Sequence, residues 1–248
     1  MFDLSPCRLH SGGRASEPPA QIGVYYARDL VLSTMDHGCC LDLRDAADAK
    51  DMLIYGLIEG LHELYDSADE EHFGHVRHVA GLVDRCFLGG YLTRAHELPD
   101  GQQLAHLRLD IKEGNDSCQD SWSGARVTLR DGLLGSLPVV NVDIDSKGPW
   151  TIVQIIELVI HEMIHGYIML FACRGNVSHG RGPSSGHSNA RGRHGNYVRL
   201  LLHHVFSTIQ GWDDELSGFG RSLIMDCNHN GDFWEDRCDP LVFLGGLW

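Results

Sequence analysis

Residues 151–173, TIVQIIELVIHEMIHGYIMLFAC, form the most apolar run of the 248-residue chain and decide how the rest is read. The run approaches the length of a membrane span, but Gln154, Glu157, His161, Glu162 and His165 interrupt it, and each would be costly in lipid. It therefore reads as a buried core helix from residue 150 to about 173, entered through a Ser-Lys-Gly-Pro turn at 146–149. Within it, His161-Glu162-Met163-Ile164-His165 is an HExxH pattern. Helical geometry puts the two imidazoles one turn apart on one face, where both can ligate one metal ion, with Glu162 about 100° round. Zinc suits this donor set. Three protein ligands leave a fourth position for water, whose pKa falls to about 7, and Glu162 stands as the general base that takes its proton.

The third ligand must come from elsewhere in the chain. Residues 174–195 read as a loop containing six glycines, and a connection of that length within a compact domain is usually functional or disordered. It offers His179, His187 and His194. His194 is preferred because GRHGNYVRLLLHHV runs directly into a further helix, from 196 to about 210, and metal geometry wants rigid support. His179 and His187 remain open. Glu157 is set aside as a ligand, since it lies one turn before His161 on the same helix.

Upstream, Leu53, Ile54, Leu57, Ile58, Leu61 and Leu64 recur at helical spacing, with Asp45 or Asp48 as the cap. A second helix is expected over about 69–88, with Phe73, Val76, Val79, Val83, Cys86 and Phe87 on one side and Gly89-Gly90 ending it. The period then changes. HLRLDI (106–111), ARVTL (125–129) and VVNVDI (139–144) alternate or run β-branched residues between turn-forming clusters, which predicts a small sheet. The fold class expected is α+β. Residues 1–44 are taken as a tail plus an unassigned segment, 45–212 as the domain, and 213–248 as an extension packing on it or trailing from it.

The run LVIHEMIHGYIML followed by Gly192-Arg193-His194-Gly195-Asn196-Tyr197 resembles the SprT-like zinc metallopeptidase family, whose members pair a zinc helix of HEMxH type with a downstream GHGxxF-type segment. LVDRCFLGGYL (82–92) is similar to the family's aromatic-Gly-x-Leu segment, and VVNVDID takes the place of the strand before the zinc helix. The resemblance spans about residues 50–212. It implies a zincin-like fold with an HExxH-bearing core helix, a Zn2+ ion on His161, His165 and His194, and hydrolysis of peptide bonds with Glu162 as base. A protein substrate follows, including protein bound to DNA, as in the repair of DNA–protein crosslinks. The sequence departs from the family in the Arg193 insertion, in the long loop before His194, and in Cys227 and Cys238, which form none of the CxxC pairs of a zinc ribbon. The competing reading keeps the fold but makes it a noncatalytic zinc-bearing adaptor for DNA or protein.

Charge bounds the partners. Twenty basic and 34 acidic residues leave a net charge of -14, so the whole molecule repels polyanions and does not coat nucleic acid or anionic membrane nonspecifically. Residues 163–212 invert that balance, carrying Arg174, Arg181, Arg191, Arg193 and Arg199 with no Asp or Glu. A local DNA contact is expected there, and no membrane partner. Eight cysteines are too dilute for a disulfide scaffold, and the first 20 residues lack an apolar signal core, so the expected location is intracellular, nuclear or cytoplasmic. Asp226-x-Asn228-x-Asn230-Gly231-Asp232 begins like a calcium loop but has Arg237 where a bidentate glutamate is required. Cys227, His229 and Cys238 fit no common structural zinc spacing.

Overall fold

The apolar run does fold as one long helix, and the described parts of the chain gather around it. The computed structural model describes residues 22–23, 25–37, 43–66, 69–97, 101, 103–112, 125–130, 139–145, 150–172 and 196–221. Helices α1 (Ala27–His37), α2 (Leu43–Glu59) and α3 (Glu70–Leu88) come first. Strands β1 (His96–Glu97), β2 (Gln103–Leu104), β3 (Leu107–Lys112), β4 (Ala125–Arg130) and β5 (Val139–Asp145) follow, then α4 (Ile152–Phe171) and α5 (Asn196–Gln210). A 3-10 turn at Asp214–Leu216 comes after α5. The architecture is α+β.

Sixteen of the twenty residues of α4 are buried, so its end groups cannot rely on water. Thr151 and Gln154 form a capping box: the Thr151 hydroxyl accepts the Gln154 N–H at 3.2 Å, and the Gln154 side chain accepts the Thr151 N–H at 2.8 Å. The next free donors go to the chain after α2, with Ile152 N–H bonded to the Glu63 carbonyl (2.8 Å) and Val153 N–H to that of Gly60 (3.3 Å). Gly60 has to be small here, because a Cβ would sit 3.0 Å from the Ile152 side chain. At the other end, Gly23 N–H bonds to the Leu170 carbonyl (2.9 Å) and Tyr25 N–H to that of Phe171 (3.2 Å). Among the described residues α4 alone is long and apolar enough to cross a membrane, and 78% of its most apolar window is buried inside the protein.

The three-stranded sheet has the order β3-β5-β4, with β5 parallel to β3 and antiparallel to β4. Alternation sends Val140 and Val142 of β5 into the core, and α4 packs against both β4 and β5. A separate two-stranded ribbon pairs β1 with β2, where no strand was expected. The expected sheet strands correspond to β3, β4 and β5, each within a residue or so of its bounds.

On α2, Leu53 and Leu57 are fully buried as the spacing predicts, but Leu64 is 61% exposed, since the helix ends at Glu59 and Leu64 lies in a bridge to Thr151. Helix α3 starts at the Asp69 cap, whose side chain accepts the Glu71 N–H, and ends at Gly89 in the left-handed conformation (φ 72°). Helix α1 lies before residue 45, in a stretch that periodicity alone does not assign. Tyr25, Leu30 and Val31 are buried in the same core as α4, so the core begins some twenty residues earlier than the periodicity indicates. It also extends past 212, because Leu216 and Phe219 belong to it.

Asp84 is fully buried in the middle of this packing. Its carboxylate accepts the Leu92 N–H (3.1 Å) and, at 2.7 Å each, the Thr93 N–H and hydroxyl, which pins the chain leaving α3 back onto the helix. Burial pushes its pKa up to about 6, against the opposing pull of these donors and of Arg85. A raised carboxyl pKa means that the folded state holds the proton more tightly than the unfolded one. The stability this group contributes is complete below about pH 4 and is lost as pH rises through about 6, a difference on the order of 3 kcal/mol. Asp84→Asn is expected to abolish that part of the slope in urea-unfolding free energy between pH 4 and 7, while keeping an acceptor for the Thr93 donors.

Candidate metal centre

His161 and His165 lie on the buried helix as the spacing requires. Their ring centroids are 5.0 Å apart with planes inclined at 57°. His161 and Glu162 are buried and His165 is half-buried. Glu162 Oε1 stands 3.7 Å from His161 Nδ1, beyond hydrogen-bond length but close enough to bias the imidazole electrostatically. Two nitrogen donors of one helix and an adjacent carboxylate are a donor set suited to zinc.

Gly166 follows the second histidine, and a Cβ there would fall 2.3 Å from Val140 Cγ1. The absence of a side chain lets β5 lie directly against the helix beside His165. Two residues from His165, the Tyr167 hydroxyl lies 3.1 Å from Thr34 Oγ1, whose single proton goes to the Leu30 carbonyl at 2.7 Å. Tyr167 therefore donates to Thr34, and α1 is bonded to α4 beside the histidines. None of these supports was named from the sequence. The Thr-x-x-Gln cap was readable, but Gly166 and Tyr167 carry no local signal that β5 and α1 meet α4 there.

His194, the preferred third ligand, lies outside the described residues, as do His179 and His187. So do Arg174, Arg181, Arg191 and Arg193 of the expected basic rim, the calcium-like loop beginning at Asp226, and Cys227, His229 and Cys238. Arg199 is half-buried on α5. Among the described residues, no group of three or more His, Cys, Asp or Glu side chains is arranged to hold a metal ion. Helix α5, which begins at Asn196, packs against α4, and of the three expected donors the described residues include His161 and His165.

Other titratable groups near α4 have structural partners. Glu157 is buried and its Oε1 accepts the Gly220 N–H at 2.6 Å; burial pushes its pKa up to about 7 against that hydrogen bond. His204 lies with its ring edge-on to Phe87, and burial first, then His203, lowers its pKa. His72 and His75 bridge α3 to the chain of α2: His72 Nε2 meets Glu63 Oε1 at 3.1 Å, and His75 Nε2 meets the Gly56 carbonyl at 2.9 Å. A second imidazole pair, His96 and His106, has centroids 4.6 Å apart. Burial, then His106 and Arg94, lower the pKa of His96.

The chain matches no family model, no curated protein and no solved structure. The local geometry of α4 thus stands by itself.

Gly166→Ala is expected to push β5 off the helix or strain the Val140 rotamer. Overpacking of this kind costs about 1–3 kcal/mol, read as a lower urea midpoint with an unchanged slope.

Proposed function

We propose that this protein is a zinc-dependent endopeptidase of SprT-like type, with a zincin-like domain acting on protein substrates, including proteins bound to DNA, inside the cell. The observation that carries the reading is the buried HExxH helix, with His161 and His165 turned to a common side at 5.0 Å and Glu162 beside them. Burying an imidazole and a carboxylate beside a second, half-buried imidazole on a core helix is costly, which supports a functional role for the three.

His161, His165 and His194 would hold the ion. Zinc supplies Lewis acidity when bound, lowering the pKa of water toward 7 and polarising a carbonyl. Glu162 takes a proton from the attacking water and delivers it to the departing amine as the peptide bond breaks. Strand β4 is at one edge of the sheet and packs against α4, and a sheet edge can take an extended peptide as an added strand. Residues 163–212 carry five arginines and no Asp or Glu, a local positive charge that suits nucleic-acid phosphates.

Zinc per chain, measured by elemental mass spectrometry, is expected to be about one in wild type and to be lost in His194→Ala. Retention by that variant would move the third ligand to His179 or His187. Glu162→Gln is expected to keep zinc and to lose about 100-fold or more in cleavage of an unfolded protein substrate. Equal cleavage by both proteins, or none by either, would leave the noncatalytic adaptor as the better reading.

A further inference from the structure

The imidazole pair of His96 and His106 takes no part in the chemistry proposed above. His96 opens β1 and His106 stands directly before β3, so the two rings meet where the β1–β2 ribbon joins the three-stranded sheet. Their backbones are held by different bonds. The His106 carbonyl accepts the Val140 N–H at 2.6 Å, and the next residue, Leu107, donates to the Leu92 carbonyl at 2.7 Å, which fixes His106 between β5 and the chain leaving α3. His96 is fixed through the ribbon, where it stands opposite Leu104. His106 is only 3% exposed, and its ring lies edge-on to Phe171 at the end of α4. His96 is half-buried, yet its Nε2 is screened from solvent and has no hydrogen-bond partner among the described residues. A shielded ring nitrogen left in that condition costs stability unless something else meets it.

We propose that His96 and His106 form a metal site separate from the HExxH helix, taking a zinc ion on two imidazoles and clamping the β1–β2 ribbon to the start of β3. The donors suit such an ion: neutral imidazole binds zinc, and with its proton on Nδ1 the His96 ring offers the Nε2 lone pair. At Zn–N lengths of about 2.0–2.1 Å, two rings aimed at one tetrahedral ion have centroids about 5 Å apart. The 4.6 Å separation here, with planes inclined at 55°, is a small ring rotation from that arrangement. Ligating histidines must be neutral, and burial, then His106 and Arg94, favour the neutral form of His96. The Arg94 charge also opposes an arriving cation, and two protein donors leave the remaining positions to water or a small anion. The site is therefore weaker than one built from three histidines.

The test dialyses the full chain, as wild type, His96→Asn and His106→Asn, to equilibrium against Zn2+ buffered in the micromolar range. Zinc per chain is counted by elemental mass spectrometry, and circular dichroism checks folding. Wild type is expected to hold about one ion more than either variant, whatever the HExxH helix binds. A fall from about two ions to one supports both sites, and a fall from about one to none supports this site while overturning the zinc reading of α4. Equal content in wild type and a folded variant overturns this site, alone if an ion remains and together with the α4 reading if none does. Hydrogen exchange of peptides across 92–107 locates the ion: Zn2+ is expected to slow it about threefold or more in wild type and not in His96→Asn. Should both variants fail to fold, exchange in wild type decides, since no slowing by Zn2+ overturns the clamp.

Discussion

A buried helix must have its terminal N–H and C=O groups satisfied by protein, and the described structure is largely the solution to that requirement for α4. Its first donors are taken by Thr151, Glu63 and Gly60, and its last carbonyls accept from Gly23 and Tyr25. These partners come from the stretch after α2 and the stretch before α1. The same bonds that make burial of α4 tolerable therefore tie the N-terminal helices to both of its ends. Once α4 is placed, the sheet has one position: β5 lies where Gly166 leaves room for Val140, and β3 and β4 pair to either side of it.

The same constraint explains why histidines and acids can occupy such a helix. Several of the buried polar groups have a counterpart elsewhere in the chain. Glu157 is matched by Gly220, Asp84 by Leu92 and Thr93, and Tyr167 by Thr34. The Glu157 and Tyr167 contacts are long-range, whereas that of Asp84 folds the chain leaving α3 back onto its own helix. Around them the aromatic groups fill volume: Phe87 stacks on Trp212 at 5.4 Å, and Lys50 Nζ lies over the same indole at 5.2 Å. A metal centre built on α4 inherits this rigidity.

Much of the fold was legible because its signals are local. Asp69 and Gly89 bound α3, the bounds of α5 follow from its own apolar spacing, and β3, β4 and β5 follow from alternation. Helix α1 was not legible, since the IGVYYARDLVLSTMDH stretch mixes a short apolar run with polar residues at no single period, and only its packing on α4 and α5 makes it helical. Leu64 was misjudged for the opposite reason: its spacing continues the α2 pattern after the helix has ended. The β1–β2 ribbon is two residues per strand, too short for any period to show.

For the candidate site, the sequence by itself determined which side chains share a helix face, because a 3.6-residue repeat converts the HExxH spacing into geometry without outside information. It also determined that the helix is a core element, since so long an apolar run needs burial. Only the tertiary structure decided what holds that helix in place. The capping carbonyls of Gly60 and Glu63, the Gly166–Val140 approach, the Tyr167–Thr34 bond and the Glu157–Gly220 contact all join residues far apart in the chain. Such pairings depend on how whole elements pack, and no local pattern of residue types encodes them.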